Sequence, residues 1–246
     1  MKLLSPRLFG LLILLIAWQL TAWLLQSDLL PGPVAVFSSL WQHTVSGSLL
    51  HHLGITLARV TVSFVLAMII GVAVGMLMGS RHLWDSWLDG LLILGLNIPA
   101  LVTIILCYIW FGLTEAAAVL AVAVNKIPTV IVAVREGARA IDHDLLTVAK
   151  VYRLPPSITF FKVYLPQLYP YLFGAARNGL ALIWKIVLVV ELLGRSNGVG
   201  FQLGSFFQFF DIQSILAYTF AFVLVILAIE TLLMRPLENR LNRWRP

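Results

Sequence analysis

Two lysines lie deep inside apolar stretches that are long enough to cross a bilayer. Lys126 lies roughly 16 Å, and Lys185 roughly 21 Å, from one end of its stretch at 1.5 Å per helical residue. A charge near the middle of a membrane costs about 2.5–3.5 kcal/mol, so each lysine requires a partner or a function. One interpretation pairs them with carboxylates such as Glu115 or Glu191. The other places both lysines in a central cavity, where they attract an anionic solute.

Prolines interrupt two of these apolar stretches, at Asn97-Ile98-Pro99 and at Pro128. Each proline removes a backbone donor, which is tolerated at membrane depth only where protein or a wet cavity satisfies the freed carbonyl. Bent helices of this kind line transport pathways, and a packing kink is the alternative. The candidates for a pathway through the membrane are therefore Lys126, Lys185, Asn97, Pro99, Pro128 and Glu191.

The residue types that would support an enzyme or a metal site are poorly arranged. The sequence has no G-x-x-x-x-G-K-[ST] phosphate loop, so the chain does not hydrolyse ATP by that route. Cys107 is the only cysteine. His51 and His52 are adjacent and cannot face the same way on one helix, so no metal site is predicted with His43. We therefore predict neither an enzyme nor a bound cofactor.

Composition indicates that membrane-spanning helices position the lysines and prolines described above. The chain has 246 residues, of which 60% are apolar and 11% charged, and this is typical of a single-domain, all-α integral membrane protein. The first apolar run follows two cations, as in a signal peptide. It is about eighteen residues long and no small-x-small cleavage site follows, so we interpret it as an uncleaved span. The six predicted spans are 8–25, 56–79, 88–111, 116–134, 171–194 and 212–234.

The long polar interruption is the loop 135–170, which carries five of the seventeen lysines and arginines. A basic loop between spans belongs on the cytoplasmic side. With six spans, this orientation places twelve cations inside and one or two outside, and it places both termini in the cytoplasm. The formal charge of +6 therefore orients the chain in the membrane and does not indicate a nucleic-acid groove.

The loop is predicted to contain a short amphipathic helix. Asp142 or Asp144 can cap its first turn, and Pro155-Pro156 ends it because proline cannot continue a helix. Such a helix, projecting from a membrane domain, is a docking surface for a partner protein. The residues predicted on its docking face are Leu145, Val148, Ala149 and Tyr152.

Another pattern predicts tight packing between spans. Small residues recur every four positions in the second predicted span, so a neighbouring helix can approach its backbone closely. These residues are Ala67, Gly71, Gly75 and Gly79. We predict a packing role for them and no chemistry.

The loop resembles a known family at several points. Glu136-Gly137, Val148-Ala149-Lys150, Phe160-Phe161-Lys162-Val163 and Leu165-Pro166 are similar to the cytoplasmic loop of binding-protein-dependent ABC importer permeases. The resemblance implies that this segment, with Asp144 at the start of its helix, is a coupling helix between spans 4 and 5 that seats in a groove of an ATPase subunit. The family usually has a glycine where this chain has Arg153, and glycine adopts a left-handed turn without steric cost.

Residues outside the loop resemble one branch of that family, which serves sulfonates, taurine, nitrate and a thiamine-pyrimidine precursor. The resemblance covers essentially the whole chain. The matching residues are Trp18, Leu30-Pro31-x-Pro33, Trp110-Phe111-Gly112, Gly174, Arg177, Glu191 and the tail 238–245.

The resemblance implies a type I ABC importer transmembrane domain in the bacterial inner membrane. Its implied partners are a second copy of the chain, an ATPase dimer that binds ATP and Mg²⁺, an external solute-binding protein and membrane lipid, with no nucleic acid. The implied cargo is a small anion such as a sulfonate, taurine or nitrate, and a thiamine-pyrimidine precursor or another small organic solute is the alternative within the family. An ion-coupled secondary transporter is the alternative from another class, and such proteins commonly show internal repeats, which we do not see here.

Overall fold

The computed structural model describes residues 6–27 and 29–241, and these residues form helices joined by short turns. The first half contains α1 (Pro6–Leu25), α2 (Pro33–Val45), α3 (Ser48–Ser80), α4 (His82–Asn97), α5 (Ala100–Phe111) and α6 (Glu115–Arg139). The second half contains α7 (His143–Val151), α8 (Pro156–Thr159), α9 (Leu165–Gly194), α10 (Val199–Gln208), α11 (Ile212–Ile229) and α12 (Arg235–Leu241). π-Helical turns at Phe160–Tyr164 and Glu230–Met234 join α8 to α9 and α11 to α12. The predicted inside cations Lys2, Arg243 and Arg245 and the tail residues 242–245 lie outside the described residues.

Four helices within the described ranges are long and apolar enough to cross a membrane, and α4 with α5 makes a fifth if that pair is one broken span. The four are Ser48–Ser80, Glu115–Arg139, Pro156–Gly194 and Ile212–Glu238, and they contain the predicted second, fourth, fifth and sixth spans. The predicted first span falls in α1, whose apolar stretch Leu12–Leu25 is shorter than this criterion. The count of six spans therefore stays a prediction.

The two prolines predicted to interrupt spans have different effects. α4 and α5 meet at 98°, because Ile98 is extended before Pro99, so the predicted third span is not one straight helix. By contrast, α6 runs without a break through Pro128. The interpretation that Pro128 interrupts the fourth span is therefore wrong. Its ring is buried against α4, where a Cβ added to Gly95 would lie 2.9 Å from the proline Cγ.

The predicted loop 135–170 is mostly helical, and the true connection is only residues 140–155. α6 extends to Arg139, and the helix of the fifth span already begins at Pro156. Pro166 lies within this continuous helix and does not break it. A wide π-helical turn, in which the Leu165 N–H donates to the Phe160 carbonyl, precedes Pro166 and accommodates it within a continuous helix.

The bundle is organised around α6, which packs between α3 and α9. Along α3, Gly71, Gly75 and Gly79 face Val130, Val134 and Ala138 of α6, in that order. The residue numbers increase in the same direction on both helices, so α3 and α6 run parallel. A Cβ added to Gly75 would lie 2.8 Å from the Val134 Cβ and 2.9 Å from the Ile131 carbonyl oxygen. Ala67 is fully buried on the same face. These contacts place two helix backbones against each other with no room for a larger side chain.

α9 runs antiparallel to α6, and this sets the two ends of the bundle. Gly137, near the end of α6, meets Tyr171 near the start of α9, whereas Lys126 meets Gly179 further along. We call the end that holds α7 the α7 end. The opposite end, where α6 begins and α9 finishes, we call the far end. Its core is aromatic and includes Tyr108, Trp184, Tyr218 and Phe222.

Candidate functional site

α7 is a short helix with one side anchored and one side open. Asp142, and not Asp144, caps it, since its carboxylate accepts the Asp144 N–H at 2.8 Å. Ala149 is only 2% exposed and is the residue that anchors α7 to the rest of the fold. Ala149 therefore does not lie on the open side, where the sequence predicted it. Val151 is also exposed, but it lies further round the helix. The α7 face is our name for the three exposed apolar residues at positions i, i+3 and i+7, which are Leu145, Val148 and Tyr152.

The end of α7 keeps a glycine-type turn without a glycine. Arg153 has φ of 50°, in the left-handed region. The Leu154 N–H donates to the Ala149 carbonyl and the Arg153 N–H to the Lys150 carbonyl, both at 3.0 Å, which is the Schellman pattern. Arginine in this conformation costs about 1 kcal/mol relative to glycine. The substitution in the family pattern thus leaves the turn geometry intact.

Glu136 and Gly137 lie on α6 and not on α7. Gly137 is buried, and a Cβ added there would lie 2.5 Å from the Tyr171 Cγ, so in this chain it contacts α9 and offers no free surface. Glu136 is exposed and bonds Arg139 at 3.1 Å. Arg135 in turn reaches Asp89 of α4 at 2.7 Å, so these charges tie the end of α6 to α4.

Lys126 lies at the contact between α6 and α9. It is 3% exposed, and its stem packs against Gly179, where an added Cβ would lie 3.3 Å from the lysine Cε. The lysine lines a cavity of about 410 Å³ between the two helices, which we call the Lys126 cavity. Its other lining residues include Thr129, Ala133, Asn178, Ala181 and Leu182.

Lys185 is exposed, seven residues after Asn178 on the same side of α9. It therefore lies about 10 Å further along the helix toward the far end. Among the described residues, no carboxylate lies within salt-bridge distance of Lys126 or Lys185. Glu115 and Glu191 bond arginines instead, so the interpretation that pairs these lysines with either carboxylate is wrong.

Glu191 is the centre of a buried polar network at the far end. The carboxylate is completely buried. It accepts hydrogen bonds from the Arg59 guanidinium and from the Gly200 N–H, both at 2.8 Å. The Thr56 hydroxyl donates to it at 2.9 Å and accepts the Val199 N–H at 2.9 Å. Glu191 therefore joins α3 to α9 and to the start of α10, and it does not open onto the Lys126 cavity.

Arg59 extends this network to α6. Its guanidinium donates to both carboxylate oxygens of Glu115, at 2.8 and 2.6 Å, and to the Asn197 carbonyl at 2.9 Å. Arg195 also bonds Glu115. The sequence analysis missed this partner, although a signal existed. Arg59 and Ser63 continue the four-residue repeat of the small residues on α3, so Arg59 must face α6 as those residues do.

The remaining pathway candidates lie elsewhere. Asn97 and Pro99 are exposed at the bend between α4 and α5, where the Asn97 side-chain amide donates to the Ile93 carbonyl at 2.8 Å. Pro128 lines a separate apolar cavity of about 270 Å³ with Gly95 and Ile98. The six candidates are therefore distributed over different faces and do not form one site.

One segment matches a hydrolase sequence motif but lacks the secondary structure that the motif requires. Gly194-Arg195-Ser196-Asn197-Gly198 fits G-x-S-x-G, yet it follows the helix α9 and not a strand. A nucleophile elbow requires the strand-to-helix turn that exposes its serine. The segment instead supplies Arg195 and Asn197 to the buried network.

The sequence as a whole is similar to curated transport proteins. The family described as "Binding-protein-dependent transport system inner membrane component" matches residues 64–241. "Putative aliphatic sulfonates transport permease protein SsuC" of Bacillus subtilis (strain 168) is 28% identical over 235 residues, which cover 95% of this chain and 85% of that protein. "Bicarbonate transport system permease protein CmpB" of Synechocystis is 28% identical over 221 residues, 82% of this chain and 76% of that one. "Nitrate import permease protein NrtB" of Synechococcus elongatus is 26% identical over 206 residues, with coverage of 80% and 74%.

The fold is also similar to those of solved transporters. A structure of the MetNI methionine ABC transporter in inward-facing conformations superposes with a TM-score of 0.59 at 23% identity, over 76% of this chain and 91% of that chain. An amino acid ABC transporter solved with histidines gives a TM-score of 0.57 at 19% identity, over 83% and 96%. At these identities the likeness concerns the fold.

Proposed function

Because the chain belongs to the family of binding-protein-dependent transport system inner membrane components, we propose that it forms the translocation pathway of an ATP-driven importer for a small anionic solute. The chain is a multi-pass inner-membrane transport permease and not an enzyme. Permeases of this family work with an ATPase and a solute-binding protein. Membership of this family removes the support for an ion-coupled secondary transporter.

The observation that carries the ATPase part of the proposal is the α7 face. It presents three apolar side chains on a helix that is anchored by Ala149 and capped at both ends. Uncovered apolar surface of this kind is characteristic of a protein interface. The basic loop residues favour the cytoplasm for this end, which is where an ATPase operates. We propose that the α7 face is covered by that subunit.

The anionic cargo is supported by charge. Lys126 and Lys185 have no carboxylate partner in the described part of the chain, and both lie along the side of the bundle formed by α6 and α9. The names of three similar proteins specify sulfonates, bicarbonate and nitrate, all of which are anions. A thiamine-pyrimidine precursor or another small organic solute is the alternative cargo of the same machinery.

The finer architecture that we propose is a homodimer of six-span chains with both termini in the cytoplasm, an ATPase dimer at the α7 ends and a binding protein at the far ends. ATP binding would close the ATPase dimer and move each α7. The glycine contacts between α3 and α6 leave no space for sliding, so the motion of α7 would be transmitted as a rigid-body rotation of α3, α6 and α9. This rotation would alternately open the pathway to the two sides.

The docking proposal is tested by placing a charge on the α7 face. We expect Val148→Asp or Leu145→Asp to lower solute uptake at least tenfold and to reduce the amount of ATPase that co-purifies, because an ionised carboxylate would be buried in an apolar contact. Ala149→Asp is not suitable, since Ala149 is buried within the chain and its replacement would dislodge α7.

The matched control is Thr147→Asp. Thr147 is exposed on the same helix but lies about 120° away from the centre of the α7 face. It is expected to keep uptake and ATPase recovery near wild type. Full uptake by both Val148→Asp and Leu145→Asp would contradict the proposed function of α7.

A further inference from the structure

We propose that the Lys126 cavity is a binding site for an organic oxyanion with a short apolar tail, which the importer holds during passage. This inference rests on the proposed function and specifies the class of its solute. The site is a groove between α6 and α9 of one chain. Lys126 is buried at its floor, whereas Thr129, Asn178, Ala181 and Leu182 on its walls are exposed.

The charge of the cavity is positive and uncompensated. Lys126 is 97% removed from solvent, yet among the described residues no acidic side chain bonds it and none lines the cavity. A buried ammonium without a counter-ion is costly, and the cost is relieved when an anion enters. Gly179 supports this arrangement, since its missing side chain leaves room for the lysine stem.

A second potential donor, on an exposed side chain, lines the same groove. Asn178 also lines the cavity, and its amide makes no hydrogen bond within the described ranges. The Thr129 hydroxyl, by contrast, already donates to the Lys126 carbonyl at 2.8 Å. The ammonium of Lys126 and the amide of Asn178 therefore offer donors to the oxygen atoms of a sulfonate or carboxylate.

The rest of the lining is apolar, and this separates an organic anion from an inorganic one. Ala133, Ala181 and Leu182 present only hydrocarbon, and the volume of about 410 Å³ is more than a bare oxyanion fills. Pockets for small organic ligands have this composition, with few polar groups that orient the ligand in a mostly apolar wall. A short alkyl chain would cover the alanines while its oxyanion contacts Lys126.

The test is direct binding to the purified permease–ATPase complex in lipid nanodiscs, without the solute-binding protein. The probes are nitrate, methanesulfonate and 1-butanesulfonate, titrated by calorimetry. We expect affinity to rise from methanesulfonate to butanesulfonate by up to about fourfold per methylene, because each buried CH₂ contributes that factor. Lys126→Met should weaken butanesulfonate binding at least tenfold. Arg81→Met, which removes an exposed cation in the turn between α3 and α4, should leave binding unchanged.

Two further readouts exclude a simple loss of folding. Lys126→Met should raise the thermal unfolding temperature of the complex, because it replaces an unpaired buried charge by an apolar side chain of similar length. A lysine that serves only the fold would lower that temperature when removed. Ala181→Leu, which reduces the cavity, should weaken butanesulfonate binding more than nitrate binding.

Two outcomes overturn the site. The first is that Lys126→Met binds butanesulfonate as tightly as the wild-type complex does. The second is that the wild-type complex binds all three anions with equal affinity. Uptake by the wild-type complex with its binding protein reports separately on the proposed function. Import of an anion together with either outcome rejects the Lys126 cavity alone, whereas failure to import any anion rejects the proposed function itself.

Discussion

Glu191 shows how a single carboxylate can be held in the interior of a membrane protein. Both of its oxygens accept hydrogen bonds, from Arg59, the Thr56 hydroxyl and the Gly200 N–H. Removing a carboxylate from water costs several kcal/mol, which only such complete pairing offsets. The network also fixes the turn between α9 and α10, because the Asn197 carbonyl and the Val199 N–H are bonded to Arg59 and Thr56. Its contribution is therefore to the geometry of the far end.

The first prediction concerns Arg59. Arg59→Met should destabilise the protein by about 3–5 kcal/mol, because it leaves the carboxylate of Glu191 buried without a counter-ion. The measurement is the midpoint of a denaturant-induced unfolding titration in detergent micelles. Arg177→Met is the matched control. Arg177 is 45% exposed and pairs with Glu230 and Glu238, and loss of such an exposed pair costs about 0–1 kcal/mol. Equal shifts for the two variants would contradict this account of the network.

The sequence placed Lys126 and Lys185 in apolar helices but did not predict their surroundings. Lys126 is buried and Lys185 is exposed, although both lie in apolar runs. Neither this difference nor the lack of a carboxylate partner follows from the sequence, because spacing along one helix says nothing about a neighbouring helix. Arg59 lies on the four-residue repeat of α3, and this repeat gives its direction. The identity of Glu191 as its partner required the packing of α3 against α9.

At the level of elements, the contact between α3 and α6 determines the bundle. Lipid tails are as apolar as leucine, so helices in a membrane associate through close packing and hydrogen bonds and not through the hydrophobic effect. The small residues of α3 allow that approach over about two turns, from Gly71 to Gly79. Opposite them, α6 presents β-branched Val130 and Val134, which have little rotamer entropy to lose. The pair therefore moves as one unit.

The next prediction compares one substitution at two glycines of the same helix. Gly75→Ala should destabilise the protein by about 1–3 kcal/mol, because the new Cβ would lie 2.8 Å from the Val134 Cβ and force α3 from α6. Gly54→Ala should be neutral or stabilising by up to about 1 kcal/mol, since no atom lies within 4 Å of an added Cβ there. Thermal unfolding of both variants checks the difference. Equal unfolding temperatures would show that the small face does not hold α3 to α6.

Helices were predicted more accurately than their ends. Apolar runs located the helices that contain the second, fourth, fifth and sixth spans, because burial in lipid requires them. An apolar run cannot show that a helix begins before the run does. The helix of the fifth span already begins at Pro156, in a stretch that mixes polar, aromatic and proline residues. The prolines were equally ambiguous. Pro128 is accommodated by packing on Gly95 whereas Pro99 is exposed at a 98° bend, and this difference lies in the neighbouring helix.

For the whole molecule, helix length separates α7 from the membrane. The continuous helices of 33 and 39 residues are about 50 and 58 Å long, well beyond the hydrocarbon thickness of about 30 Å. Four residues separate the end of α7 from the start of the 39-residue helix. A helix of this length must extend beyond the hydrocarbon at one end or both. If its first turns do so, as the basic loop favours, the α7 face lies where a second protein can reach it.

The two ends of the molecule have different mechanical properties. At the far end, charges connect α3, α6 and α9, with Arg59 and Glu191 buried and Glu115 exposed. At the α7 end, partly exposed ion pairs connect α4 and α6. α6 connects both ends without a break. A force applied at α7 would therefore reach the far end through α6 and its tightly packed neighbour α3.

The most direct test of the account is cross-linking from α7 to the ATPase. Val148→Cys and Thr147→Cys would be compared in inside-out membrane vesicles, with a short cross-linker that carries one cysteine-reactive group and one photoreactive group. The native Cys107 is buried and gives little background. We predict that Val148→Cys yields a covalent product with the ATPase subunit and that Thr147→Cys yields little. No product from Val148→Cys, or equal yields from the two positions, would contradict the claim that the ATPase binds the α7 face.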